Sequence, residues 1–265
     1  MNELLPLNAD QYLLLKNLFN LSIALFGGAS LLFILTRRMV AGTYSLAVSM
    51  MAAVTAMACY HYFRIYDNWL AAFTQQGALY VPSGVPFSYA YRYADWLGTV
   101  PLLVTAVMLV LDLGRQKSAS LISRMALSAA LMVILGYLGE GQNTSMAARA
   151  AWGLASCVPF VYMLFILWGE LTRVLRFESE RVRELFTKLR WGLLASWCFY
   201  PLVYALPILG LGGAHNLLLI QVGNSAADLI AKVGTGLFLL TIAREKTEED
   251  LIAARTPVNL SAAAD

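Results

Sequence analysis

Residues 216–242 read NLLLIQVGNSAADLIAKVGTGLFLLTI, and Asp228 and Lys232 are the only ionisable side chains in the stretch. At about 1.5 Å per residue a helix of this length crosses the ~30 Å hydrocarbon core of a bilayer. Asp228 precedes Lys232 by four residues, which places both on one helix face. Ionisable groups at bilayer depth cost about 2.5–3.5 kcal/mol or more, so the pair marks a functional site.

The rest of the chain agrees that the solvent is lipid. Of 265 residues, 59% are hydrophobic and 13% charged, about half the ~25% charged of an average soluble protein. The mean hydropathy is +0.64, and a soluble domain of this size has too little polar surface to coat such a composition. Collagen-like, disordered and disulfide-scaffold classes are excluded by the same figures. A net charge of +3 calls for no nucleic-acid partner. Cys59, Cys157 and Cys198 are scattered through apolar runs, giving neither a disulfide framework nor zinc spacing.

Seven apolar runs are long enough to span: about Gln11–Thr36, Tyr44–Trp69, Tyr89–Leu113, Ser120–Leu138, Met146–Thr172, Leu185–Leu209 and Asn216–Ile242. Glycines punctuate them, with Gly114 after the third run, Gly139 to Asn143 after the fourth and Gly210 to Gly213 after the sixth. Basic residues collect on one side. Arg37 and Arg38 follow the first run, Arg115 and Lys117 the third, Arg173 to Arg190 the fifth, and Arg244, Lys246 and Arg255 the last. The basic side is cytoplasmic, so the N-terminus lies outside and the C-terminus inside, as seven spans require. The reading is an all-α integral membrane protein, a seven-transmembrane helix bundle. Residues 1–245 form the transmembrane domain and 246–265 a flexible cytoplasmic tail. The outer loop Gln75–Ser88, with Gly77, Pro82, Gly84 and Pro86, predicts a short β-hairpin.

The third run places Arg92, Asp95 and Thr99 at i, i+3 and i+7, one stripe. One cation, Lys232, can therefore meet two carboxylates, Asp95 and Asp228, with Arg92 balancing the second negative charge. A buried ion-pair network that only holds helices together is the plainer alternative, but buried pairs are weak stabilisers. A lysine in a dry pocket is also the usual Schiff-base residue, and a protonated Schiff base needs a counterion. In the sixth run Trp197, Tyr200 and Tyr204 form a stripe around Pro201, and Trp96 and Pro101 lie near Asp95. A long, flat, apolar ligand would fit between them.

The stretches Arg92-Tyr-Ala-Asp95-Trp96-Leu-Gly-Thr99-Val-Pro101, Trp197-Cys-Phe-Tyr200-Pro201, Asp228-Leu-Ile-Ala-Lys232 and Gly136-Tyr-Leu-Gly139-Glu140 resemble the microbial (type I) rhodopsins. The likeness is nearest to the bacterial proteorhodopsin and xanthorhodopsin-like proton pumps, and it covers all seven helices. It implies all-trans retinal bound covalently at Lys232, with Asp95 as proton acceptor and counterion and Asp228 as second counterion. Thr99 matches the hydroxyl that hydrogen-bonds the acceptor, Arg92 the outward gate, and His61 the histidine that pairs with the acceptor. Trp96, Trp197, Tyr200, Pro201 and Tyr204 match pocket walls, and Leu103 matches a position where leucine goes with green absorption. A multi-pass protein of a bacterial inner membrane, in contact with lipid and assembled as a homo-oligomer (trimer or pentamer), is implied as well.

Two positions modify the resemblance. Eleven residues after the acceptor, where the family usually has a carboxylate proton donor, stands Ala106. Either a water path from the cytoplasm, another donor or no pumping at all must follow; the reading taken is reprotonation of the Schiff base from the cytoplasm without a carboxylate on this helix. Counting back from Tyr162, Gly153 falls where many relatives carry a bulky aromatic beside the retinal ring; a glycine there matches the carotenoid-binding pumps and suggests a window for an antenna carotenoid. Close packing of the helix through a small residue is the alternative at Gly153, and Trp152 could close the window. The expected function is light-driven outward proton transport, not enzymatic turnover. A sensory rhodopsin signalling to a separate transducer is the alternative. Inward pumping is disfavoured by the presence of Asp228, and chloride pumping by Asp95.

Overall fold

The computed structural model describes residues 4–142, 145–210 and 214–255. Helices α1 (Ala9–Thr36), α2 (Gly42–Ala72), α3 (Ala90–Val110), α4 (Arg115–Glu140), α5 (Met146–Val174) and α6 (Glu180–Ala205) are followed by α7 (Ala214–Leu229), a π-helical turn (Ile230–Gly234) and α8 (Thr235–Arg255). The last three run on as one rod, so the bundle has seven membrane helices. Six are long and apolar enough to cross by composition alone. The other, α6, starts at a Ser179 cap whose Oγ accepts from the Val182 amide. Lys188 and Arg190 interrupt its apolar stretch, and it ends at Ala205, before Pro207 and a left-handed Gly210 at φ 73°. The sixth span therefore stops four residues short of the expected Leu209.

The outer loop forms the expected hairpin, β2 (Phe73–Gln76) with β3 (Leu79–Pro82), turning at Gly77 with φ 60°. A third strand joins it. β1 (Leu7–Asn8) pairs antiparallel with β3, giving the order β1-β3-β2. Asn8 then caps α1, accepting from the Gln11 amide at 2.9 Å while Gln11 accepts from the Asn8 amide at 3.1 Å. Tyr12 stacks on Tyr80 at 3.8 Å between ring centroids and on Trp69 at 5.6 Å. The cap is thus held by aromatic burial as well as by six backbone pairings.

Two apolar clusters divide the interior. An outer one gathers Leu7, Tyr12, Phe19, Phe26, Tyr62 and Trp69. An inner, cytoplasmic one gathers Phe33, Met51, Leu103, Ala106, Val107 and Leu239 among others. The intramembrane charges lie between them. Glycines let rings approach: a Cβ at Gly236 would come 2.6 Å from Phe33 Cε2. The three cysteines are free thiols.

The segment beyond Glu245 differs from expectation. Helix α8 continues to Arg255, so the first ten residues of the anticipated tail are helical, and 256–265 lie outside the described residues. The cause is docking. Lys246 is buried and its Nζ meets Glu178 Oε1 at 2.7 Å, while the Thr247 hydroxyl accepts from the Ala41 amide at 2.9 Å. Arg181 pairs with Glu245 at 2.8 Å. Removing one partner of a buried pair costs about 3–5 kcal/mol. Glu178→Ala should therefore lower the melting temperature followed by circular dichroism, and adding Lys246→Met should restore most of the loss.

Candidate functional site

Lys232 stands in the middle of the π-helical turn, where the Thr235 amide bonds the Ile230 carbonyl five residues back. Such wide turns gather at functional positions in helices. Here the turn carries the lysine inward between α3 and α7. Its Nζ contacts Asp95 Oδ2 and lies 3.1 Å from Asp228 Oδ1. Exposures of 2%, 1% and 0% for Lys232, Asp95 and Asp228 leave none of the three to water. The sequence stripes on the third and seventh spans thus converge as expected.

The two carboxylates are held differently. Asp228 accepts from Tyr62 Oη at 2.7 Å, Arg92 Nη1 at 3.3 Å, Trp96 Nε1 at 2.9 Å and Tyr200 Oη at 2.7 Å, besides Lys232. Asp95 has Lys232 on one oxygen, and its Oδ1 has no hydrogen-bond partner among the described residues. His61 Nδ1 stands 3.7 Å from that oxygen, beyond hydrogen-bond reach, and donates to the Met57 carbonyl at 2.9 Å. The expected pairing of His61 with Asp95 thus stands at ion-pair distance, with no hydrogen bond between them. Thr99 also departs from expectation. Its hydroxyl donates to the Asp95 backbone carbonyl at 2.8 Å and not to the carboxylate, as threonines within helices commonly do.

Arg92 fills its fork on the outer side. Nη1 donates to Tyr62 Oη at 2.9 Å, and Nη2 to Gln221 Oε1 at 2.9 Å and Ser225 Oγ at 3.4 Å. Tyr62, Gln221 and Ser225 were not singled out in the sequence. A signal was available for two of them: Gln221, Ser225, Asp228 and Lys232 follow i, i+4, i+7, i+11, a single stripe.

Lys232 and Asp228 open on a cavity of about 390 Å³, within the ~300–1,000 Å³ of small-molecule pockets. Trp96, Trp197, Tyr200, Pro201 and Tyr204, the residues that the resemblance gives as pocket walls, all line it, and so does Leu103. Trp96 and Tyr200 meet edge to face at 4.9 Å. Gly153 also lines the cavity, but its missing side chain opens no free gap: a Cβ there would come 2.6 Å from Tyr204 Cε1. The Tyr204 ring fills that space, tethered by its hydroxyl to the Arg149 carbonyl at 2.8 Å. Trp152 faces Gly139 on α4. Ala106 is fully buried in the inner apolar cluster.

A family model described as bacteriorhodopsin-like protein matches residues 14–246. The chain belongs to the bacteriorhodopsin-like family. A green-light absorbing proteorhodopsin from Gamma-proteobacterium EBAC31A08 is 27% identical over 220 residues, 81% of this chain and 80% of that protein. A bacteriorhodopsin-II-like protein of Haloquadratum walsbyi is 30% identical over 204 residues, 75% and 76% of the two chains. Among solved structures, xanthorhodopsin, described as a light-driven ion pump with dual chromophore, aligns with a TM-score of 0.89 at 39% identity, over 94% of this chain and 99% of that one. Thermophilic rhodopsin aligns with a TM-score of 0.89 at 42% identity, over 93% and 99%. The microbial rhodopsin reading of the sequence is borne out. In this bacteriorhodopsin-like chain the family's seven helices bring a lysine, two aspartates and an arginine to one buried point.

Proposed function

We propose that this bacteriorhodopsin-like protein is a light-driven outward proton pump whose chromophore, all-trans retinal, is held covalently by Lys232. The observation that carries the reading is Lys232 Nζ on the wall of an aromatic-lined cavity, facing a carboxylate with one oxygen unpartnered. The residues suit such a group. The cavity offers apolar and ring surface along its length, and its one lysine is met by two carboxylates. Bound there, retinal supplies absorption of visible light and an isomerisation that alters the surroundings of the lysine nitrogen.

The remaining work falls to side chains. Lys232 holds the proton to be moved. A proton reaching Asp228 would displace donors already in place, whereas at Asp95 it meets a free oxygen, so Asp95 is the acceptor and Asp228 the fixed counterion. Trp96, Trp197, Tyr200, Pro201 and Tyr204 wall the chromophore, and Leu103 borders it as an apolar group, consistent with green absorption. Arg92, held by Gln221 and Ser225, stands on the outward side as the gate. Thr99 steadies the α3 backbone at Asp95, and His61 supports the acceptor from α2.

A second pigment at Gly153 is the finer part of the proposal, drawn from the glycine and from the dual chromophore of the xanthorhodopsin neighbour. A carotenoid ring would lie over the Tyr204 ring where the glycine leaves it uncovered. Hydroxylated carotenoid added to the purified protein should acquire induced circular dichroism and sensitise the retinal band. Gly153→Trp should abolish both. Because its Cβ would press on Tyr204, that variant should also move the retinal band, a stronger effect than a peripheral window alone predicts. Equal behaviour of wild type and variant would remove the carotenoid from the proposal.

Illuminated, unbuffered cells that make the protein and are supplied with retinal should acidify the medium, and a protonophore should abolish the signal. Lys232→Ala should be colourless. Asp95→Asn should be red-shifted and transport-dead, because the acceptor is gone and the positive charge at the lysine is less compensated. Alkalinisation would indicate inward transport, and a coloured wild type without any signal a sensor.

The Ala106 position yields a separate test. No residue of α3 between Asp95 and its end at Val110 can titrate, so α3 cannot return the proton to Lys232, and on this reading it comes from bulk solvent. Recovery after a flash should slow as pH rises, and Ala106→Glu should flatten that dependence. A fast, pH-independent recovery in the wild type would reveal an internal donor elsewhere.

A further inference from the structure

The cytoplasmic cations are not equivalent. Arg173 pairs with Glu170, Arg181 with Glu245, Lys188 with Glu184 and Lys246 with Glu178, while Arg183 donates to the carbonyls of Leu175 and Glu178. Arg176 is exposed to water. Arg190 and Arg244 differ from these: each is only partly exposed, and among the described residues neither forms an ion pair. Of the two, Arg190 is the one stacked on a tryptophan. Its guanidinium carbon lies 4.0 Å over the Trp168 ring, Nη1 donates to Thr172 Oγ1 at 3.1 Å, and the enclosed Nε has no partner. Glu170, two residues from Thr172 on the same helix, is already taken by Lys117 at 2.6 Å and by Arg173.

Depth sharpens the problem. Arg190 is ten residues into α6, about 15 Å along the axis from Glu180, and seven residues, about 10 Å, from the cavity-lining Trp197. That level is near the inner edge of the hydrocarbon, where tryptophans collect and an uncompensated charge is costly. Two tryptophans flank it, Trp168 at 36% exposure and Trp191 at 54%, edge to face at 5.2 Å. Deeper along the same face of α5, at i−3 and i−7 from Trp168, Phe165 and Val161 are exposed. A fixed cation, an aromatic pair around it and an apolar track leading towards the bilayer centre form one continuous surface.

We infer that this α5–α6 surface is a binding site for an anionic phospholipid, with the phosphate on Arg190 between Trp168 and Trp191 and an acyl chain along Phe165 and Val161. The phosphate supplies the counter-charge that the protein withholds, and the guanidinium is already immobilised by stacking and by Thr172, so little ordering remains to be done. The rings occupy the depth they favour in any case. This site is on the outer surface of the bundle, separate from the chromophore cavity, so it does not depend on the pump reading.

The test is native mass spectrometry of the full chain in detergent, titrated with dioleoyl phosphatidylglycerol or dioleoyl phosphatidylcholine. The first phosphatidylglycerol should bind about fivefold tighter than phosphatidylcholine, the effect of one basic side chain near an anionic headgroup. Arg190→Gln should erase the preference, and Arg176→Gln, which removes an exposed cation of the same loop region, should leave it intact. If Arg190→Gln fails to fold by circular dichroism, Arg190→Met decides, since it keeps an apolar stem but loses the charge: a lost preference supports the site, and an unchanged one overturns it. Trp168→Leu should weaken retention of the lipid. Equal binding of the two lipids, or a preference that survives Arg190→Gln, would overturn the inference. Displacement of phosphatidylglycerol by equimolar glycerol 3-phosphate would do so too, because the site would then be one for free phosphate.

Discussion

A lysine ammonium in the middle of a membrane has no water to solvate it, and much of this bundle answers that one fact. Two aspartates meet Lys232, which leaves a net negative charge that Arg92 cancels. The four groups sum to zero, and they come from α3, α7 and the π-helical turn. Tyr62 on α2 and Tyr200 on α6 then fill the remaining acceptor positions of Asp228. Satisfying the lysine therefore fixes the mutual placement of four of the seven membrane helices. Apolar residues of the same volume would often hold such helices together as well or better. Stability alone does not explain the arrangement, and its asymmetry points to use: one carboxylate is saturated with donors and the other is not.

The same asymmetry separates what the sequence makes legible from what it does not. Asp228 and Lys232 share one helix, so their contact follows from spacing alone. The stripe of Arg92, Asp95 and Thr99 was equally plain, but which atom each uses was not. Thr99 bonds its own helix backbone because a carbonyl four residues back is always within reach, whereas the carboxylate must turn towards Lys232. His61 was placed beside the acceptor by resemblance, and the Met57 carbonyl holds its ring nitrogen at 2.9 Å. Tyr62 is its neighbour in sequence, and only the rotation of α2 about its axis decides which of the two reaches an aspartate.

Elements whose stability rests on long-range partners were the least legible. The polar run after Glu245 has the composition of a tail that frays, yet it is helical because Lys246 finds Glu178 and Thr247 finds the Ala41 amide. Strand β1 is two residues long and exists only because β3 presents an edge to it. Gly153 was read as an absence of bulk. The structure shows what uses the space, a ring from α6 that no spacing within α5 could announce.

Polarity on the two sides of Lys232 is as uneven as the treatment of the two aspartates. Outward lie Arg92, Tyr62, Gln221 and Ser225, donors and acceptors linked in one network. Inward lie Leu103, Ala106, Val107, Met51 and Phe33, all apolar and packed in one cluster. A proton given to Asp95 has polar groups ahead of it and an apolar layer behind, where a charge would meet the desolvation cost that the whole site is built to avoid. On the proposed function the outward direction of transport would then follow from where the polar groups end, and Ala106 would belong to the barrier as much as to a missing relay. A carboxylate at that position would add a proton store and, by the same step, thin the layer that opposes return.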